Sequence, residues 1–152
     1  MMSIFSLAYR SRNLIEDIHL DSLGEMTNLL GVARARNAKL GVTGALIFNE
    51  GLFAQILEGD EAAVREIFKR IQMDRRHTEI NVFPTQQYEH RRFEGWSMAF
   101  VGPSPSARDY YERFSLLKGF EWTEASAGAL VDLVLDLIAI ERAEGIKSAS
   151  LR

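Results

Sequence analysis

Apolar and polar positions along the chain predict a mixed succession of strands and helices. Ser3 to Tyr9 is apolar and is followed by Arg10, Ser11 and Arg12. It reads as a first strand with Phe5, Leu7 and Tyr9 on one face. Ser22-Leu23-Gly24-Glu25 has the form of a capping box. After it Leu23, Met26, Leu30, Ala33 and Asn37 fall at helical spacing, so that a polar residue closes an apolar stripe. Val42–Phe48 and Leu52–Glu58 predict two strands around Asn49-Glu50-Gly51, a three-residue hairpin loop. On the second of them Phe53, Gln55 and Leu57 share a face. Asp60 is placed to cap a second helix with the stripe Val64, Ile67, Phe68 and Ile71, which ends at Asp74-Arg75-Arg76-His77. Ile80–Gln87 predicts a fourth strand. Trp96–Val101 predicts a fifth, with Trp96, Met98 and Phe100 on one face.

The order is βαββαβ plus a strand, with both helices on one side of the sheet. It predicts an α+β, ferredoxin-like sandwich in which the first and third strands are adjacent and central. Gly102-Pro103-Ser104-Pro105 is the strongest boundary signal. It divides the chain into residues 1–102 and a C-terminal helical extension, 103–152. In the extension Ala107–Lys118 predicts a short helix. Thr123 caps a longer one that runs to about Glu144, with Gly145 as its stop. Leu130, Val131, Leu133, Val134, Leu135, Leu137, Ile138 and Ile140 make this helix apolar around much of its circumference. Two placements account for that: a helix wedged between the sheet and the short helix, or one that also buries surface against a subunit or partner.

With 152 residues, 47% hydrophobic and 26% charged, the composition is that of one soluble globular domain. The formal charge of −3 lacks the basic excess that displaces counterions from nucleic acid. The absence of cysteine removes disulfides, thiolate catalysis and photochemistry through a cysteine adduct. Met1–Ser6 has no signal-peptide pattern, and the apolar stretch Gly128–Ile140 is too short to span a bilayer. A cytoplasmic protein without nucleic-acid or membrane partners is expected. The dinucleotide, phosphate-loop, zinc-protease and serine-hydrolase motifs are missing. His19, His77 and His90 are scattered without metal-ligand spacing, so they read as surface or structural residues and no metal site is expected.

The informative residues are polar groups on apolar faces. Gln55 lies between Phe53 and Leu57, and a buried amide without partners costs about 1–3 kcal/mol. Asn37 raises the same question, although an asparagine there could also end the helix as a C-cap. The Tyr9 hydroxyl either reaches the sheet rim or needs a buried partner, and in this topology Tyr9 and Gln55 can touch. Together these groups around one apolar space suggest a heteroaromatic ligand.

Ala8-Tyr9-Arg10-Ser11, then Asn37, then Gly41-Val42-Thr43-Gly44-Ala45-Leu46, then Phe53-Ala54-Gln55-Ile56-Leu57-Glu58-Gly59 together resemble the BLUF domain, a blue-light sensor that uses flavin. Asp74-Arg75-Arg76-His77 and Arg92-Phe93-Glu94-Gly95-Trp96-Ser97-Met98 continue the pattern in order. The likeness covers about the first hundred residues.

That resemblance implies a flavin between the two helices: FAD, with FMN or riboflavin also possible. Leu29 and Ile71 would clamp its ring, Asn37 and Arg70 would meet ring carbonyl and N–H groups, and Gln55 would stand between Tyr9 and the ring. Arg70 also reads as a solvated surface charge. Arg34, Arg36 and Lys39 read as favourable charges at a helix end, and one could hold a flavin phosphate. In the family, light drives an electron and a proton from Tyr9 by way of Gln55. Gln55 ends in a different tautomer or orientation, and absorption moves modestly to the red. Trp96 and Met98 on the fifth strand would relay the change. Residues 103–152 are too few for a cyclase or phosphodiesterase, so the implied protein is a short photoreceptor and not an enzyme, acting through a downstream protein or a homo-oligomer. The alternatives are a flavin-dependent oxidoreductase, against which no nicotinamide-binding fingerprint is present, and a ferredoxin-like ligand-binding module.

Overall fold

The computed structural model describes residues 3–14, 22–49, 52–101 and 124–143. Its elements are β1 (Ile4–Asn13), α1 (Ser22–Leu40), β2 (Thr43–Asn49), β3 (Leu52–Gly59), α2 (Glu61–Gln72), β4 (His77–Val82), β5 (Gln86–Tyr88), β6 (Ala99–Val101) and α3 (Glu124–Ala143). The sheet order is β4-β1-β3-β2-β6, and β5 also pairs with β1. The β1 and β3 strands are antiparallel neighbours, as the ferredoxin-like order requires. Their register sets Tyr9 opposite Gln55. On the other side of β3, Leu46 lies opposite Gln55, and β6 then runs parallel to β2.

Strand alternation sends successive side chains to two different layers. Phe5, Leu7 and Tyr9 of β1 and Phe53 and Leu57 of β3 join Leu30 of α1 and Val64, Ile67 and Phe68 of α2 in a front core. Ala8, Ala45, Ile47, Ala54 and Ile56 point the other way and pack with Leu130, Val131, Val134, Leu137 and Ile138 of α3. The two helices after β1 and β3 therefore share one face, and α3 covers the opposite one. On α3 the buried positions form a single stripe flanked by half-buried Leu133 and Leu135, with Asp132 and Asp136 on the solvent side. Sheet packing accounts for most of its apolar surface.

Local chemistry fixes the helix ends beside the site. Asp60 is extended and its side chain accepts from the Ala63 N–H at 3.2 Å, capping α2. The α1 helix passes through Asn37 to Leu40 and is ended by Gly41, at φ 67°. The Val42 N–H returns to the Asn37 carbonyl at 2.9 Å. The C-cap reading of Asn37 is thus corrected, because the left-handed turn falls on the glycine. Gly44 is demanded by contact: a Cβ there would lie 2.0 Å from the Ile56 carbonyl oxygen.

Two predicted strands need correction. The fourth, expected over Ile80–Gln87, is two strands. Pairing with β1 begins earlier, at His77 opposite Asn13, and stops before Pro84, which has no N–H to donate. The fifth, expected over Trp96–Val101, is a strand only over Ala99–Val101. The short helix at 107–118, the boundary at 102–105, the Thr123 cap, the stop at Gly145 and the Glu50-Gly51 turn lie outside the described residues.

Candidate functional site

A cleft opens between α1 and α2 above the centre of the sheet, with about 560 Å³ of space including its mouth. Tyr9, Leu46, Phe53 and Gln55 come from the strands beneath. Leu29, Val32, Ala33 and Arg36 come from α1, and Arg70, Ile71, Asp74, Arg76 and His77 from the end of α2 and the turn after it. Helical spacing explains the first wall, since Leu29, Ala33 and Arg36 follow one another at three- and four-residue steps.

The floor holds the chemistry. The buried Tyr9 hydroxyl donates to Gln55 Oε1 at 2.5 Å. The Gln55 amide nitrogen points to the sulfur of fully buried Met98 at 3.6 Å. Burial pushes the Tyr9 phenol far above its ordinary value of 10.0; Asp74 adds to this and Arg36 opposes it. Tyr9 is therefore a neutral donor across the physiological range. Its ring is supported by Phe68, with centroids 5.5 Å apart.

The rim is charged and ordered. Asp74 accepts from Arg76 Nε at 2.9 Å and Nη2 at 2.6 Å, and from the Arg76 backbone N–H at 2.9 Å. Burial works against the Asp74 charge, but these bonds outweigh it and hold the carboxyl below its usual range. The Arg36 guanidinium is lowered from its ordinary value by burial and by Arg70. His77 is a structural residue. Its ring bridges Ser11 Oγ and the Ile71 carbonyl, each at 2.7 Å, and so fixes the end of α2 against β1.

The structure brings together Tyr9, Gln55, Leu29, Arg70 and Ile71 at one cleft. Arg70 is half-exposed there and reaches Glu66 at 3.3 Å. Asn37 lies just behind the wall, fully buried. Its Nδ2 donates to the Ser97 carbonyl at 2.8 Å, while its Oδ1 has no partner among the described residues. Arg34 donates to the next carbonyl, Met98, at 3.0 Å. Trp96 and Met98 do not share a face, contrary to the alternation. Met98 joins the front core, whereas the Trp96 ring packs on the back core beside Phe93 at 6.5 Å. The reason is local: Gly95 is at φ 85° and residues 96–98 are not extended strand, so the two-residue period does not apply.

Sequence reasoning gave Glu58 no role beyond its place in the family string. It is fully buried on the back face of β3 and accepts from the Arg92 and Phe93 N–H groups at 2.8 and 2.7 Å and from Thr43 Oγ1 at 2.8 Å. The signal was present: in Ala54, Ile56, Glu58 a carboxylate closes an apolar alternation just as Asn37 closes a helical stripe.

The donor set fits a flavin. Apolar walls suit a flat ring system. Nε of Arg36, at the cleft wall, and Oδ1 of Asn37, just behind it, are buried with no partner among the described residues, a donor and an acceptor of the kind that the N–H and carbonyl groups of a heteroaromatic edge match.

Comparison with known proteins agrees. Residues 4–99 match the family model described as sensors of blue light using FAD. The chain is similar to the photoactivated adenylate cyclase subunit beta of Euglena longa, 38% identical over 56 residues, which are 37% of this chain and 6% of that protein. It is also similar to the blue light- and temperature-regulated antirepressor BluF of Escherichia coli K12, 36% identical over 88 residues, 58% of this chain and 21% of that one. The match thus takes up a small part of these curated relatives. Among solved structures, the dark state of BlrB, a BLUF protein, superposes with a TM-score of 0.71 at 31% identity, covering 88% of this chain and 96% of that one. The ground state of BlsA gives 0.66 at 28%, covering 74% and 72%. No described helix is long and apolar enough to cross a membrane. With the tyrosine–glutamine pair at the floor of the cleft and the family pattern running through β1 to β6, the chain belongs to the BLUF family, sensors of blue light using FAD.

Proposed function

We propose that this protein is a cytoplasmic blue-light photoreceptor whose switch is the Tyr9–Gln55–Met98 hydrogen-bond chain. The observation that carries this reading is the 2.5 Å bond from the Tyr9 hydroxyl to Gln55 Oε1 at the floor of the cleft. Leu29 and Ile71 would hold the flavin ring between them. Asn37 and Arg70 would meet its polar edge, with Arg36 as a further donor at the cleft wall. Bound there, the flavin supplies blue-light absorption and an electron-accepting ring.

The protein's own part is to hold and release one arrangement of donors. The two ends of a glutamine amide are nearly the same shape but opposite in hydrogen-bonding sense. In the present arrangement Gln55 accepts from Tyr9 and donates toward the Met98 sulfur. Rotation exchanges its two ends, and tautomerisation moves a proton from its nitrogen to its oxygen; either keeps the packing but changes the hydrogen-bonding sense that Tyr9 meets. That is a bistable element in a dry site, where unmatched polar groups are costly. Met98 adjoins β6, so the change is passed to the strand beside β2. Trp96, whose ring lies on the opposite face, would sense the same movement from the α3 side.

Residues 1–102 would form the light-sensing unit and 103–152 its extension. The output would be contact with a downstream protein or a second copy, with α3 close to that surface through half-buried Leu133, Leu135 and Ile140. The test is optical. Purified protein should be yellow, and blue light should shift its flavin band reversibly to the red. A protein that stays colourless with added FAD overturns the proposal.

A further inference from the structure

Resting on that reading, we propose that Glu58 is a positioning residue. It sets the placement of the Arg92–Met98 segment over Gln55 and so the lifetime of the lit state. Strand β3 grips this segment from both of its faces. On the front face the Gln55 amide meets the Met98 sulfur. Three residues along and on the back face, the Glu58 carboxylate takes the backbone N–H groups of Arg92 and Phe93. Glu58 Oε1 serves Phe93 and Thr43, and Oε2 serves Arg92, so both oxygens are used.

The surroundings reinforce this clamp. Arg91 donates to Thr43 Oγ1 at 2.9 Å, to the Glu58 carbonyl at 3.3 Å and to the Gly41 carbonyl at 2.8 Å, tying the same turn to the end of α1. Beyond the turn the Trp96 carbonyl accepts from the Gly44 N–H at 3.1 Å. The carbonyls of Ser97 and Met98 are held by Asn37 and Arg34. The segment is therefore pinned at its start by one buried carboxylate and at its end by α1. A carboxylate is the right group for the first task, because two adjacent backbone N–H groups need two acceptor atoms in one plane. Glutamine would accept with one oxygen and turn its NH2 toward the Arg92 N–H, which is also a donor. Loosening the start of the segment frees Met98 to leave Gln55, and the route back to the dark arrangement opens.

The test compares the parent protein, Glu58→Gln and Thr43→Val, each loaded with FAD, by dark recovery after a blue pulse and by amide hydrogen exchange over residues 92–98. The parent should red-shift. Glu58→Gln should red-shift to the same extent, revert about fivefold faster, the worth of one hydrogen bond, and exchange faster over 92–98. Thr43→Val removes one donor from the carboxylate and one acceptor from Arg91, which keeps its bonds to the Glu58 and Gly41 carbonyls, but leaves both backbone bonds to the carboxylate, so its recovery should quicken less. Recovery of Glu58→Gln at the parent rate overturns the proposal, even if its melting temperature falls, since a merely structural carboxylate predicts only that fall. If Glu58→Gln is insoluble, Thr43→Val recovering at the parent rate overturns it. A parent that binds FAD without any red shift would instead overturn the photoreceptor reading on which the proposal rests.

Discussion

Replacing Asn37 by alanine separates a cofactor contact from a structural one, because the two Asn37 amide atoms have different fates. Nδ2 holds the Ser97 carbonyl at 2.8 Å, and Oδ1 is buried without a partner among the described residues. In flavin-free protein, alanine loses one neutral hydrogen bond, worth about 1 kcal/mol net. It also removes a buried orphan acceptor, whose burial costs about 1–3 kcal/mol. The two nearly cancel, and the small void left behind is common to both forms. With a flavin edge paired to Oδ1 the orphan is satisfied, so alanine then loses both bonds. The difference, about 1–3 kcal/mol, corresponds to an affinity loss of roughly 5- to 150-fold. Flavin titration of the stripped protein, followed by fluorescence quenching, reads the affinity; urea midpoints of the loaded and stripped forms read the stability. The stripped form should be almost unaffected and the loaded form weakened. Unchanged affinity, with both forms destabilised equally, would refute the reasoning and leave Asn37 as a strut for Ser97.

Gln55→Leu should retain flavin, since it keeps the volume under the cleft, yet abolish the red shift; a normal light-minus-dark spectrum in that variant removes Gln55 from the switch. Tyr9→Phe should bind flavin but lose the photocycle, and an unaltered cycle would require another donor. Tyr9 also makes a pH prediction. Its phenol is raised by burial, so the folded form keeps a proton that the unfolded chain gives up above pH 10.0. Its contribution to stability is complete below that pH and is lost as pH rises further, and Tyr9→Phe should flatten this alkaline decline in denaturation midpoints. Gly44→Ala should cost several kcal/mol, about the upper range of single substitutions, because the added Cβ meets the Ile56 carbonyl at 2.0 Å; a melting temperature within a degree or two of the parent would contradict the close approach of β2 and β3.

Much of the site was legible where a regular period carried it. Gln55 stands out between Phe53 and Leu57 because strand alternation is strict there, and the β1–β3 register then puts Tyr9 opposite it. Leu29 and Ile71 rest on the family pattern, and both line the cleft, one from each helix. The period failed where the backbone leaves it. Residues 92–98 are turn and irregular chain, so Trp96 was assigned to the face of Met98 when its ring lies on the other. Asp74, Arg76 and His77 were visible as a helix-ending string and as part of the family pattern but not as cleft residues, because their place at the cleft rim depends on how α2 docks on β1. The burial of Glu58 was not legible, because only the folded turn at Arg92–Phe93 supplies the N–H groups that make it tolerable. A cut after Gly102 is a poor test of output. Such a cut removes α3 and bares Ala45, Ile47, Ala54, Ile56 and Val101, so surface substitutions on α3 are the better probe.

The most direct measurement is the light-minus-dark absorption spectrum of the FAD-loaded protein beside Gln55→Leu and Tyr9→Phe. The parent should shift its flavin band to the red under blue light and return in darkness, and both variants should keep the band and lose the shift. A parent whose loaded flavin bleaches or stays fixed under blue light, or a variant pair that shifts like the parent, would contradict a switch built on Tyr9 and Gln55.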